Sequence, residues 1–464
     1  MKKVVFIVIF ITLVFTNFNV FAKDTVYSLN KYEEEKYSFI LDSYNEEGKK
    51  DGLLAAGEVS LGSVDSENSE YDVSHVILVK YNYNGDVIWE LSQGKPCLNT
   101  LDYLEYTYDE AGKVDGYLIV MPKTYKASET AENTNRQETF IKVDLNGKVV
   151  WEKDSSTEEI ISITKIISTH NNENKADGYI AIAKTLDGQS QLLIKYDLEL
   201  NIVWLKKQDK VTEKQLEYQD LETIYEEKEI IGYALIRKVV QSDNTETVEL
   251  IKFNSNGEEE NVINQELNKY LSVKLANTPN GIIVYGLTDE VKLKEDDVSY
   301  YIIKYNNSLE EEWETIGEEP LLKDKVLKLK AVEKDNEIEK YIIMYNTKST
   351  DEINTVVAEI DLDGLFVKKI KKITSSYYTI EGFNINGKTL YFIGQINCPA
   401  DDDCEYNMSS LFLISDEDKV VEVKDNTSRN ILLIMAAFVT VIVIAILIKK
   451  RNTTKAWKIF KNMI

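Results

Sequence analysis

A chain of 464 residues is too long for one ordinary hydrophobic core unless that core is built by repetition. Its 43% hydrophobic content excludes wholesale disorder, and a net charge of −25 argues against nucleic acid as a partner. Lysine far outnumbers arginine and proline is held to five residues, a bias that suggests an AT-rich bacterial genome.

In chain order, Lys2 and Lys3, the apolar run 4–15 and Val20-Phe21-Ala22 read as an export signal spanning 1–22, with cleavage expected after Ala22. The run is short and Asn17 and Asn19 interrupt it, which distinguishes it from an uncleaved anchor. No cysteine follows it, so a lipoprotein anchor is not expected.

A repeat then runs through residues 23–426. Val79-Lys80-Tyr81-Asn82-Tyr83-Asn84-Gly85 leads to Trp89, and Ile141-Lys142-Val143-Asp144-Leu145-Asn146-Gly147 leads to Trp151. Ile194-Lys195-Tyr196-Asp197 leads to Trp204, and Ile303-Lys304-Tyr305-Asn306 leads to Trp313. Four of the five tryptophans therefore stand nine residues after a lysine. Weaker copies lie at Lys252, Glu359 and Ile414, giving intervals of about 62, 53, 57, 52, 55 and 55 residues, a period that suits a four-stranded propeller blade.

Within a repeat, the Asn-Gly or Asp-Gly pair predicts a tight hairpin turn with positive φ, followed by a strand ending in Trp. Upstream, Asp51-Gly52-Leu53, Asp115-Gly116-Tyr117 and Asp177-Gly178-Tyr179 predict a turn entering another strand, and runs such as 102–108 supply a fourth. The expected fold is all-β: a propeller of about seven four-stranded antiparallel blades, closed so that strand edges are removed. Trp89, Trp151, Trp204 and Trp313 are expected to fill the widening space between neighbouring sheets. A string of sandwich domains would need linkers rich in Pro, Gly or Ser between repeats, and none is present.

The Asp-x-Asn-Gly-x-x-x-Trp run resembles the tryptophan-docking repeats of quinoprotein-like propellers, with a turn one residue shorter between Asp and Gly. That group includes cofactor-binding dehydrogenases and non-enzymatic envelope scaffolds, and the resemblance concerns packing residues and not cofactor ligands.

Chemistry is sparse. His75 and His170 are far apart and lack a second ligand at metal spacing. No nucleophile elbow or phosphate-cradling glycine loop occurs. Cys398 and Cys404 span a short loop, and in an exported protein a disulfide between them is expected. Between them, Asp401, Asp402 and Asp403 offer oxygen ligands for Ca²⁺, although adjacent carboxylates are more often simply solvated. No catalytic residue, cofactor or metal ligand is assigned.

Near the C-terminal end, residues 430–448 hold no charge and are long enough to cross a bilayer as one helix. The basic tail 449–464 follows, which by the positive-inside rule is cytoplasmic and leaves 23–426 outside a bacterial cell membrane. Without the eight cations of signal and tail, the middle carries −33. Together these features lead to the expectation of a membrane-anchored extracellular propeller that binds a protein or glycan partner without catalysis. The alternative is a propeller enzyme, a quinoprotein-like oxidoreductase or a polysaccharide hydrolase or lyase, with its site in the central funnel.

Overall fold

A computed structural model of the chain describes residues 25–28 and 34–416, apart from loop stretches within that span such as 94–99, 126–134, 289–297, 318–326 and 398–407. The chain divides into two compact units, Met1–Val421 and Glu422–Ile464, and the second holds no described residue. The described residues form strands and turns. No helix among them is long and apolar enough to cross a membrane, and the expected signal (1–22), span (430–448) and tail (449–464) lie outside them.

Strand β1 (Thr25–Ser28) precedes the first ladder, which consists of β2 (Glu34–Tyr44), β3 (Lys50–Ser66), β4 (Ser69–Asn82) and β5 (Val87–Gln93). The second comprises β6 (Tyr103–Tyr108), β7 (Val114–Tyr125), β8 (Asn135–Asp144) and β9 (Val149–Asp154). The third comprises β10 (Ile160–His170), β11 (Ala176–Thr185), β12 (Gln191–Tyr196) and β13 (Ile202–Gln208). The fourth comprises β14 (Lys214–Glu226), β15 (Glu229–Gln241), β16 (Glu246–Phe253) and β17 (Glu259–Gln265). The fifth comprises β18 (Tyr270–Asn277), β19 (Asn280–Thr288), β20 (Ser299–Tyr305) and β21 (Glu311–Ile316). The sixth comprises β22 (Leu327–Lys334), β23 (Glu337–Ser349), β24 (Glu352–Ile360) and β25 (Phe366–Ser375). The closing ladder joins β26 (Tyr378–Asn386), β27 (Thr389–Asn397) and β28 (Met408–Asp416) to β1, which pairs with β28.

Consecutive strands in every ladder are antiparallel neighbours. Two pairs of ladders also touch edge to edge, through Tyr225↔Gly281 and Glu226↔Asn280 in one case and Glu34↔Met408 in the other.

Burial explains the strand composition. The middle strands are covered on both faces by adjoining ladders, so β12 is buried at every position and reads as a continuous apolar run. The outermost strand β13 alternates between half-buried and exposed residues, as a half-covered strand should. Each apolar cluster joins two successive ladders. Leu54 and Leu78 pack with Ile119 and Ile141; Leu118 and Phe140 with Ile163 and Leu192; Ile180 and Leu193 with Leu221 and Leu235. Further round, Ala234 and Leu250 meet Ile282 and Ile303, and Ile283 and Ile302 meet Ile343 and Ala358. Lys330 donates a hydrogen bond to Asn384, linking β22 to β26, and Tyr391 and Ile393 of β27 pack on Leu53 and Ile77 of the first ladder. Radial meanders packed face to face in a closed cycle are a β-propeller.

The nine-residue spacing has a simple origin. Lys80 pairs directly with Trp89, Lys142 with Trp151, Lys195 with Trp204 and Lys304 with Trp313 across the outer hairpin. In the weaker copies Lys252 pairs with Asn261 and Glu359 with Lys368.

Three details differ from the sequence-based expectation. The expected hairpin turn forms, but its positive φ falls on the glycine alone and not on the preceding Asn. The Asp144 carbonyl accepts from Gly147 N–H at 3.1 Å and its carboxylate accepts from Asn146 N–H and Lys148 N–H at 3.0 and 2.8 Å. Gly147 alone has positive φ, at 82°, as in a type I turn closed by a bulge. The upstream glycines, by contrast, are not turn residues: Gly52 lies inside β3, where an added Cβ would stand 1.9 Å from the Tyr81 carbonyl. It is there for close approach of two strands. Finally, ring closure does not abolish edges, because each ladder keeps an outermost strand; β25 guards its own with the exposed Lys368 and Lys369.

Candidate functional site

The inner strand of each ladder faces the axis of the ring. A common register fixes which side chains meet there. Phe39, Tyr103, Lys165, Asp220 and Lys274 pair with Ala56, Val120, Ile182, Ile236 and Tyr285. Each partner stands four places after a glycine: Gly52, Gly116, Gly178, Gly232 or Gly281. Lys328, opposite Met344, holds the same level in the sixth ladder, and Gly382, opposite Ile393, holds it in the closing one. One residue from each inner strand thus forms a belt around the axis.

Neighbours in the belt touch. Phe39 and Tyr103 meet edge to face with centroids 5.4 Å apart. The Lys165 ammonium lies 5.8 Å from the centre of the Tyr103 ring and 3.2 Å from the Asp220 carboxylate. Asp220 also accepts from the Leu275 N–H at 2.8 Å, which fixes it against the next ladder. Two places along, Glu105 and Glu222 share the face of Tyr103 and Asp220, because strand side chains alternate, while Leu104 and Leu221 between them are buried. Several inner strands are bulged here, with register breaks between Tyr37 and Phe39, Ile163 and Lys165, Tyr218 and Asp220, and Ile380 and Gly382. Such bulges re-aim side chains beside sites.

The charges sense one another across the ring. Burial pushes Glu105 up to about 8, with Glu222 adding to the shift and the Tyr106 N–H bond and Lys165 opposing it. Burial likewise raises Glu222. Burial would lower Lys165, but Asp220, Tyr103 and Glu222 outweigh it and hold the ammonium well above its ordinary value. Lys328 is pushed down to about 8 by burial, then by Lys274 and Lys165, with Glu381 and Asp220 offsetting part of the effect. Lys274 is lowered by burial, with Asp220 offsetting part of the effect and Lys165 adding to it. A second polar group lies alongside: Asp42 pairs with Lys50 at 2.7 Å and accepts from Asn384 Nδ2 at 2.8 Å.

The sequence-predicted residues lie elsewhere, between ladders. The Trp89 indole N–H donates to the Leu145 carbonyl at 2.9 Å, and its ring lies where an added Cβ on Gly147 would be 2.7 Å away. Trp313 repeats this with the Leu362 carbonyl at 3.0 Å and Gly364. Trp204 lies against Gly257, and Trp151 packs on the cluster containing Leu200. Each is distant from the axis, in the outermost strand of its ladder.

Of the histidines, His75 Nδ1 lies 3.2 Å from Ser92 Oγ, and His170 meets Tyr108 edge to face at 5.3 Å. Among the described residues no three His, Cys, Asp or Glu side chains converge on a metal position. Cys398, Cys404 and Asp401–Asp403 lie outside the described residues. The axial belt escaped the sequence because its members share no residue type. Counting four places from each upstream glycine and crossing to the inner strand would have found five of its seven members; Lys340 and Thr389 stand where the glycine would be in the other two ladders.

The fold and site together define a β-propeller with a belt of polar and aromatic side chains on its inner strands. No protein-family model matches the chain, and no curated protein matches it in sequence. Among solved structures it is similar to the Dos1 propeller, at 8% identity and TM-score 0.47, over 86% of this chain and 98% of that one. It is also similar to a PL25 ulvan lyase, at 8% identity and TM-score 0.47, over 85% and 97% of the two chains. The WD40 domain of SCAP from fission yeast matches at 10% identity and TM-score 0.39, over 86% and 99%. These likenesses lie in strand arrangement and carry no chemistry from one chain to another.

Proposed function

We propose that the protein is a membrane-anchored extracytoplasmic binding propeller: a ring of seven blades on residues 23–426, exported by the segment 1–22 and tethered by a helix at 430–448. The repeat resembles the tryptophan-docking type of quinoprotein-like propellers, and each docked tryptophan supports that kinship. The partner is a protein or a glycan. One observation carries the reading: the belt Phe39–Tyr103–Lys165–Asp220–Lys274–Lys328 gathers polar and aromatic groups at one axial level on a scaffold stiffened by interlocked blades. Crosslinking on intact source cells, followed by mass spectrometry of what attaches to residues 23–426, tests it. A reproducible partner or glycan adduct is expected, and repeated crosslinking with no adduct overturns the reading.

A second reading, a propeller enzyme with its site at the axis, is favoured by Glu105, which at about 8 keeps its proton at neutral pH and so is suited to general-acid work. Incubating the full-length protein with polysaccharides and following chain length decides it. Shortening that is lost in Glu105→Gln supports the enzyme, and unchanged chain length removes it.

A further inference from the structure

We propose that the axial belt binds the acidic group of an anionic glycan, with Lys274 and Lys328 as its two anchors. This rests on the reading of the protein as an extracytoplasmic binding propeller and names the ligand class of that site.

The belt has three sectors. Phe39 and Tyr103 form an aromatic pair. Lys165 and Asp220 neutralise each other at 3.2 Å. Lys274 and Lys328, on the inner strands of the fifth and sixth ladders, hold the same level without an ion-pair partner among the described residues. Asp220 offsets part of the cost at both lysines, and Glu381 does so at Lys328, yet both ammoniums remain below their ordinary value. The two lysines and Lys165 raise the cost of each other's charge, on half-buried side chains where water screens poorly. An anion brought to this pair would relieve the cost that burial and repulsion leave uncompensated.

Overall charge does not contradict this. The chain carries −25, yet at physiological salt a surface charge is screened beyond about 8 Å, so a ligand at the axis is governed by the belt itself. The aromatic pair fits the same ligand: a sugar ring presents C–H faces that pack on Phe39 and Tyr103 while its carboxylate or sulfate reaches the lysines. A simple inorganic anion would use the lysines alone.

Calorimetric titration of the full-length protein in detergent micelles tests the assignment with three probes: an oligoglucuronate, inorganic sulfate, and a neutral glucose oligomer of equal length. The oligoglucuronate is expected to bind, and to weaken as NaCl rises. The Lys274→Met/Lys328→Met protein should lose ~10- to 100-fold in affinity, the effect of removing hydrogen bonds to a charged group. Its thermal midpoint should stay level or rise, because repulsion is relieved. Binding that ignores salt or survives the double substitution overturns the proposal, as does failure of the oligoglucuronate to bind. Sulfate binding without oligoglucuronate binding also overturns it, leaving an anion site that takes no sugar. Equal binding of the neutral oligomer removes the anionic assignment but leaves the binding-propeller reading intact. That reading fails separately, if crosslinking finds no adduct. Should the double variant not fold, Lys328→Met alone and the salt series on the unaltered protein give the same decision.

Discussion

At the residue scale, the blades are locked by a side chain of one ladder resting on the turn of the next. Gly147→Ala would place a methyl 2.7 Å from the Trp89 ring at a φ of 82°. It should lower unfolding free energy by about 1–3 kcal/mol, combining overpacking with left-handed strain. Urea denaturation reads this, and an unchanged midpoint would count against the docking geometry. Two repeats use leucine in that turn position. Leu200 and Leu309 have φ of 60° and 59° and are almost fully buried. Leucine there gains burial and bears the strain of a conformation that glycine adopts freely. At Leu200, therefore, glycine should be the milder replacement and alanine the worse, by about 1 kcal/mol. That reverses the usual order in strands and is checked by comparing the two variants' denaturation midpoints.

At the element scale, the first three ladders share an arrangement that spans three strands. Ser43, Asp51 and Lys80 are joined at 2.7 and 2.8 Å, and Thr107, Asp115 and Lys142 at 2.6 and 2.6 Å. Thr169, Asp177 and Lys195 form the third copy. The fourth ladder has Ile231 where the carboxylate would be, and Lys252 turns instead to Glu260 at 3.3 Å. Asp51→Ala should cost about 2–4 kcal/mol, because an ammonium whose side chain is only 5% exposed loses its counter-charge and keeps only the Tyr44 carbonyl at 2.9 Å. Adding Lys80→Met should recover more than half of that loss in calorimetry. The repeat was legible in the sequence for a reason visible here: Lys80 and Trp89 are cross-strand neighbours, so the hairpin imposes their spacing. Blade length and four-strand content followed from the same copies. Gly147 was legible as a turn glycine with positive φ, whereas Gly52 was misread because close approach of two strands favours glycine just as a turn does. The axial belt was invisible, since Phe39, Lys165 and Asp220 share a register and nothing else.

At the scale of the whole molecule, two axial groups should shape stability against pH. Glu105 sits at about 8 when folded against an ordinary 4.5, so between those values the folded state holds a proton that the unfolded chain has lost. Stability falls as pH rises through that window. Lys328 sits at about 8 against 10.5, so above 8 the unfolded chain holds the extra proton and stability rises with pH. The two contributions meet in a minimum near pH 8. Glu105→Gln should flatten the acid side and Lys328→Met the alkaline side, read as differences from wild type in urea midpoints between pH 5 and 10. Parallel profiles would show that neither group is shifted. Ring closure makes its own prediction. Deleting residues 25–28 removes the four pairs from Thr25↔Ile414 to Ser28↔Leu411 and bares the edge of β28. The thermal midpoint should drop, and limited proteolysis should begin in the closing ladder.

The same ladder determines how the protein would respond to being pulled. Strand β28 ends at Asp416 and is gripped on both flanks, by nine pairs with β27 and four with β1. Tension arriving from the C-terminal side would run along this strand, so the bonds on each flank would be sheared together instead of being unzipped one at a time. Strand β1 thus reinforces, from far away in sequence, the point where an anchor would tug.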